Sequence, residues 1–228
     1  MSRLFPERAL VTLSSDEVAL GTRRIACDPG FGPEPWQGAL AALRSIPFQE
    51  WTRVTVALSS AFVRYALVPR SDALAGEAEE QAYVRHHFAK VHGERAKSWV
   101  FRWSEGLASA IDQRLLEGLR ASFPPPGKAR LASVQPALMR AINRWRGEFP
   151  ATGAWLVLAE PERACTALHD GSGWRSVQTA KGAWLDVLER ERHRVAGAVP
   201  ELVLLAGAAA PRGDVAPAAG WKYRELPA

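Results

Sequence analysis

The chain has 228 residues, 47% of them hydrophobic and 23% charged, with 29 lysines and arginines against 24 aspartates and glutamates. That composition fits a folded protein of one or two domains with a sizeable core, and excludes a disordered or collagen-like chain. No run of 18 apolar residues occurs, so no membrane-spanning helix is expected. Residues 1–8 lack the apolar core of a secretory signal, so a cytoplasmic location is expected.

In chain order, residues 8–13 predict a strand, Ser14-Ser15-Asp16 a turn, and residues 17–23 the returning strand. Residues 28–33, Asp-Pro-Gly-Phe-Gly-Pro, form a loop. Its glycines are interrupted by prolines and do not sit between a strand and a helix start, so no phosphate cradle is expected there. Residues 35–46 predict a helix with Trp36, Leu40 and Leu43 on one face. Val54, Val56 and Leu58 alternate with smaller residues, Ser59-Ser60 breaks the run, and residues 62–68 alternate again. This reads as a hairpin whose second strand is central in a sheet and ends at Pro69.

A helix follows, with Glu77, Glu79 and Glu80 at its start, basic groups at Arg85 and Lys90, and Val84, Phe88 and Val91 on one face. Gly93 is its stop signal. Residues 97–103 predict a strand bearing an aromatic stripe, Trp99, Phe101 and Trp103. The stripe is expected to cover the preceding helix, with a peptide-gripping surface as the alternative. Residues 106–111 return, and Asp112 caps a helix carrying Leu115, Leu116 and Leu119 inward, an N-cap role rather than an acid catalyst. After the break at residues 124–127, residues 129–134 form a strand. Pro136 opens a helix with Leu138, Ile142 and Trp145 inward and Arg140, Arg144 and Arg146 solvated.

Residues 147–153 mark the main boundary. Strands at 154–159, 164–169 and 174–179 form a meander. A helix at 183–195 offers Trp184, Leu188 and Val195 to the core and shows Arg190, Arg192 and Arg194 as a polar row. A buried strand at 201–206, a small-residue turn at 207–211 and an edge strand at 221–223 complete the chain.

Little catalytic chemistry is legible. His86, His87 and His92 lack the i, i+4 spacing of helical zinc ligands, so no metal is expected. Ser59 and Ser60 read as turn residues. Cys27 and Cys165 fit a reduced compartment and small buried hydrophobes. The net charge of +5 is expected mainly to aid solubility, although it permits an acidic partner, nucleic acid or an anionic membrane surface.

The order of elements, with Tyr65-Ala66-Leu67-Val68-Pro69, Gln81-Ala82-Tyr83, residues 107–112 before Leu115-Leu116, and residues 130–138, resembles the actin-like (ASKHA, ribonuclease-H-like) fold. More specifically it resembles the cytoplasmic assembly-platform proteins PilM of type IV pili and GspL of type II secretion. The resemblance implies an α/β (α+β) fold of two ribonuclease-H-like halves. The first is residues 1–148, with core 1–70 and 128–148 and an inserted subdomain 71–127. The second, 149–228, is truncated.

Nucleotide-binding members of this class carry Asp-x-Gly in two phosphate hairpins and a Gly-Gly pair on the adenine side. Here the corresponding segments are Leu13-Ser14-Ser15-Asp16, Leu158-Ala159-Glu160-Pro161-Glu162 and Gly207-Ala208. Pro161 removes an N–H that a phosphate would use. The resemblance therefore implies a non-catalytic scaffold with no cofactor. Were a nucleotide to bind, Asp16, Glu160 and Gly207 would be the residues concerned. The implied partners are a cytoplasmic segment of an inner-membrane platform protein and a secretion ATPase, and a homodimer is admitted. The implied site is a groove between the core and the inserted unit, residues 72–122, with Tyr83, Trp99 or Trp103 as anchors. The alternatives are an active actin-like ATPase and a nucleic-acid binder using Arg140, Arg144, Arg146, Arg190, Arg192 and Arg194; no nucleic acid is expected.

Overall fold

The computed structural model describes residues 7–30, 32–70, 74, 76–125, 127–207 and 220–227. The expectations placed on residues 1–6, Phe31, the Ser71-Asp72 opening of the insert, Pro126, and 208–211 lie outside them. The elements run β1 (Arg8–Leu13), β2 (Glu17–Leu20), β3 (Arg23–Ala26), α1 (Gln37–Arg44), β4 (Thr52–Leu58), β5 (Val63–Leu67), α2 (Glu77–His92), β6 (Trp99–Ser104), β7 (Leu107–Asp112) and α3 (Gln113–Ala121). They continue with β8 (Ala129–Pro136), α4 (Ala137–Trp145), β9 (Ala154–Glu160), β10 (Arg163–His169), β11 (Trp174–Lys181), α5 (Trp184–Arg194), β12 (Leu202–Ala206) and β13 (Lys222–Glu225). This is the mixed α/β architecture expected.

Two five-stranded sheets repeat one topology. The first has the order β3-β2-β1-β4-β8 and the second β11-β10-β9-β12-β13. In each, a meander of three antiparallel strands is extended by two strands parallel to the first. Three-stranded β5-β7-β6 is a separate sheet.

The structure corrects the sequence reading in three places. The segment 17–23 is not one strand: Gly21, at φ 58°, turns the chain so that β3 pairs back on β2. Glycine adopts that left-handed conformation without steric cost. Nor are β4 and β5 a hairpin. β4 lies between β1 and β8, whereas β5 is an edge strand paired to β7. Ser59 and Ser60 carry the chain between the sheets as a buried link, with Ser59 N–H donating to Leu13 O at 2.9 Å and Ala61 N–H donating to Ser59 Oγ at 3.1 Å. The third correction is Val91, which is 77% exposed, while Val84 and Phe88 are buried as expected.

The chain divides into two compact units. Unit 1 comprises residues 1–64, 98–100 and 110–137. Its core sets Val11, Leu13, Val54, Val56 and Leu58 of the sheet with Leu40 and Leu43 of α1 and Leu115 and Leu119 of α3, all buried. The α1–α3 contact is close: a Cβ at Gly118 would fall 2.5 Å from Leu40 Cδ1. Asp112 caps α3 as expected, accepting from Arg114 N–H at 2.8 Å. Unit 2 comprises residues 65–97, 101–109 and 138–228. Its larger core gathers Trp155, Val157, Leu168, Val187, Leu188, Val203 and Leu205, with Trp221 closing one side. Trp221 stands edge-on to Trp155, under the guanidinium of Arg192 at 4.8 Å, and donates to Glu189.

Candidate partner-binding surface

Within unit 2, the first half of α2 and the strand β6 line a cleft of about 430 Å³. Helix periodicity sets Glu77, Glu80, Gln81 and Val84 on the α2 side, and strand alternation sets Phe101 and Trp103 against Arg102 on the β6 side. Buried Val84 and Phe101 form the apolar part. Phe101 is fixed from below by Phe88, whose ring centroid lies 5.2 Å away, and Arg85 stacks over it at 5.8 Å. Both arrangements are favourable for aromatic rings. Phe101 and Trp103 thus pack against the helix that precedes them.

Trp103 has two roles in this geometry. Its Nε1–H donates to Val68 O at 3.0 Å, and its ring stands 6.4 Å from that of Tyr83. Tyr83 in turn meets the edge of His87 at 4.7 Å. Burial holds the His87 imidazole below its ordinary pKa, with Lys90 and His86 adding to the effect, which favours the neutral ring. Exposed Glu77, Glu80 and Arg102 rim an apolar floor, a combination suited to an amphipathic peptide. β6 is also the outer strand of its sheet.

Of the three anchors expected from sequence, Trp103 lines this cleft, and Tyr83 lies outside the lining, its ring 6.4 Å from that of Trp103. Trp99 lies at the far end of β6, half-buried, and is not among the lining residues described. Glu77, Glu80, Gln81 and Arg102 line the cleft in addition to the anchor expected from sequence. Their signal was present in the spacing of α2 and the alternation of β6, but only the pairing of the two elements turns it into a site. His92 stacks on Phe88 at 6.1 Å. Among the described residues, no group of three or more His, Cys, Asp or Glu is arranged to hold a metal. No described helix is long and apolar enough to cross a membrane.

The segments corresponding to nucleotide elements have their own structural occupations. In the β1–β2 turn the Ser14 hydroxyl donates to Asp16 Oδ1 at 2.9 Å and accepts from Glu17 N–H at 3.1 Å. A backbone donor a phosphate would need is thus partly spent. Burial, with Asp16 and Glu17 adding to it, raises the pKa of the Cys27 thiol beside this turn. In unit 2, Glu160 ends β9, and Pro161-Glu162 makes the tight turn into β10. Gly207, at φ 112°, follows the end of β12, where an added Cβ would lie 2.2 Å from Ala159 O. Glu160 and Gly207 are thus brought to one end of one sheet, and Asp16 belongs to unit 1. Ala208 lies outside the described residues.

No family model and no curated protein matches the chain. Solved structures do. One is a protein of Bacteroides thetaiotaomicron with an actin-like ATPase fold and unknown function, at 10% identity and a TM-score of 0.53, covering 89% of this chain and 82% of that one. A second is the cytoplasmic domain of EpsL, an inner-membrane component of the type II secretion system of Vibrio cholerae, at 12% identity and a TM-score of 0.55, covering 97% and 89%. A third is the PilM–PilN type IV pilus biogenesis complex, at 15% identity and a TM-score of 0.58, covering 88% and 81%. At these identities the likeness concerns the fold: this chain has the actin-like fold shared by PilM and the cytoplasmic domain of EpsL.

Proposed function

We propose that this chain is a non-catalytic scaffold at the cytoplasmic face of an inner-membrane assembly platform of the type IV pilus or type II secretion kind. It holds a short cytoplasmic segment of a membrane partner in the α2–β6 cleft, and a secretion ATPase is the second class of partner. The observation that carries this reading is the cleft itself, an apolar floor of Val84 and Phe101 beside Trp103, whose ring neighbours Tyr83, with an acidic and basic rim, on a fold also found in PilM and the EpsL cytoplasmic domain. Aromatic anchors of this kind dominate binding energy in small interfaces. The serine-filled β1–β2 turn and Pro161 support the absence of turnover.

The test is calorimetric titration with synthetic peptides covering the cytoplasmic segments of inner-membrane pilus and secretion proteins encoded beside this chain. Trp103→Ala and Glu80→Arg should each weaken the best peptide at least about tenfold, as loss of a hot spot of about 2 kcal/mol does. Unchanged affinity in both variants, with unchanged thermal midpoints, would remove the cleft as the binding site.

A further inference from the structure

The unit 1 sheet bears a second surface, unrelated to the cleft in its residues. Arg8, Arg53 and Arg130 lie side by side on β1, β4 and β8: Arg8 is in register with Arg53, and Arg53 with Arg130. Neighbouring strands are only about 4.8 Å apart, so three like charges line up across the sheet, an arrangement that costs stability. All three are exposed, as is Lys128 just before β8. Among the described residues, no ion pair or side-chain hydrogen bond engages any of these four cations. The acidic groups next to them in sequence are Glu7 and Glu50.

At the same end of these strands, immediately before β4, stands Trp51. It is 81% exposed and has φ 66°. A bulky residue in the left-handed region is a true outlier, and a tryptophan gains nothing by burial when four-fifths of it faces water. Leu10, two residues along β1 from Arg8, is a further exposed apolar side chain, at 36%. Like charges in register, backbone strain and a bare indole are three local costs with no return inside the fold. Local costs of this kind collect at functional sites.

We propose that this end of the sheet docks the protein directly on an anionic phospholipid surface, with Arg8, Arg53, Arg130 and Lys128 facing the headgroups and Trp51 seated at the headgroup–acyl boundary. The chemistry fits that occupant: tryptophan favours the membrane interface, and clustered arginine and lysine are drawn to acidic lipid. A second copy of the chain is a poor occupant, because a two-fold contact would set these cations against themselves. A nucleic-acid strand would use the cations but leaves Leu10 without a role. The inference does not depend on the peptide cleft, since the lipid surface alone is the ligand.

The experiment is co-sedimentation with vesicles of phosphatidylglycerol and phosphatidylethanolamine, with phosphatidylcholine vesicles as control and a single-stranded oligonucleotide as competitor. Binding is expected to the anionic vesicles alone. It should fall about fivefold for each of Arg8→Gln, Arg53→Gln and Arg130→Gln, and should weaken as salt rises from about 0.1 M to about 1 M, where the screening length drops from about 10 to about 3 Å. Brominated acyl chains should quench tryptophan emission in the parent and not in Trp51→Ala. Absence of vesicle binding, equal binding to phosphatidylcholine, or undiminished binding and quenching in Trp51→Ala would overturn the proposal. So would oligonucleotide binding that depends on the same arginines while vesicles are ignored. Circular dichroism of each variant separates lost docking from lost folding, and the glutamine variants keep the site testable should Trp51→Ala not fold.

Discussion

The indole N–H of Trp103 donates to the carbonyl oxygen of Val68 at 3.0 Å, tying the end of β6 to the residue that follows β5. The same ring lies 6.4 Å from that of Tyr83 and lines the α2–β6 cleft, so the bond fixes the indole that borders it. Trp103→Phe retains an aromatic ring and deletes the donor. It should cost about 1 kcal/mol in urea unfolding, and it should weaken peptide binding less than Trp103→Ala does. Equal losses in the two variants would mean that the donor, rather than the ring surface, matters for binding.

Trp51 carries its strain without any packing return, so its replacement has a predictable sign. Trp51→Gly should leave stability unchanged or raise it by about 1 kcal/mol, the release of left-handed strain being partly offset by the freer unfolded chain. A loss of more than about 1 kcal/mol would show that the exposed indole supports the fold.

Gly207 stands where the resemblance puts part of an adenine site, and packing accounts for it. A methyl group there would meet Ala159 O at 2.2 Å, on a backbone with φ 112°. Gly207→Ala should therefore destabilise by about 2–3 kcal/mol through overpacking and strain, read as a lowered thermal midpoint. A neutral effect would return the residue to the list of ligand-binding candidates.

Thermal unfolding with Mg-ATP or ADP should match the apo protein. A nucleotide at 100 times its dissociation constant would add about 2.7 kcal/mol, a shift that scanning calorimetry detects easily. Such a shift would restore an actin-like ATPase, with Asp16, Glu160 and Gly207 as the residues to mutate first.

Asp170 gives the pH prediction. The Ser172 hydroxyl, then the Ser172 and Gly173 amides, and Arg175 hold its carboxyl below the usual carboxylate range. The folded value lies below the unfolded one of about 3.9, so the contribution to stability is present above that pH and is lost as pH falls through the folded value. Asp170→Asn should flatten the acid limb of a stability–pH curve below about pH 4 and leave its shape near neutrality alone. An unchanged acid limb would mean that the charged form gains nothing from these hydrogen bonds.

Much of the fold was legible because local rules dominate it. β1, the β9–β10–β11 meander and the Asp112 cap follow from alternation, turn residues and side-chain chemistry confined to a few positions. The β4–β5 error has the opposite origin. Two alternating runs joined by Ser59-Ser60 satisfy every local criterion for a hairpin, and only long-range pairing to β1, β8 and β7 shows that they part. Gly21 hid a strand boundary inside an apparently continuous run. At the cleft, Trp103 is visible as an aromatic, whereas Glu77, Glu80 and Arg102 resemble any solvated charge until β6 is set beside α2. The arginine row was invisible for the same reason: Arg8, Arg53 and Arg130 are far apart in sequence and become neighbours only through strand register.

The repeated strand order bears on how the chain reaches its native state. In each sheet the meander closes through short turns, while the fourth and fifth strands must arrive from a distance. In the first sheet β8 pairs with β4 only after residues 59–128 have been bridged; in the second, β12 finds β9 across the meander and α5. Loop closure adds only about 0.6 kcal/mol per doubling of length, so the two sheets need not differ much in stability. Folding rate, however, falls as contacts become more distant in sequence. Although its amino acids are made last, the β9–β12 sheet should gain hydrogen-exchange protection first in refolding from denaturant, with the amides joining β4 to β8 protected in a later phase.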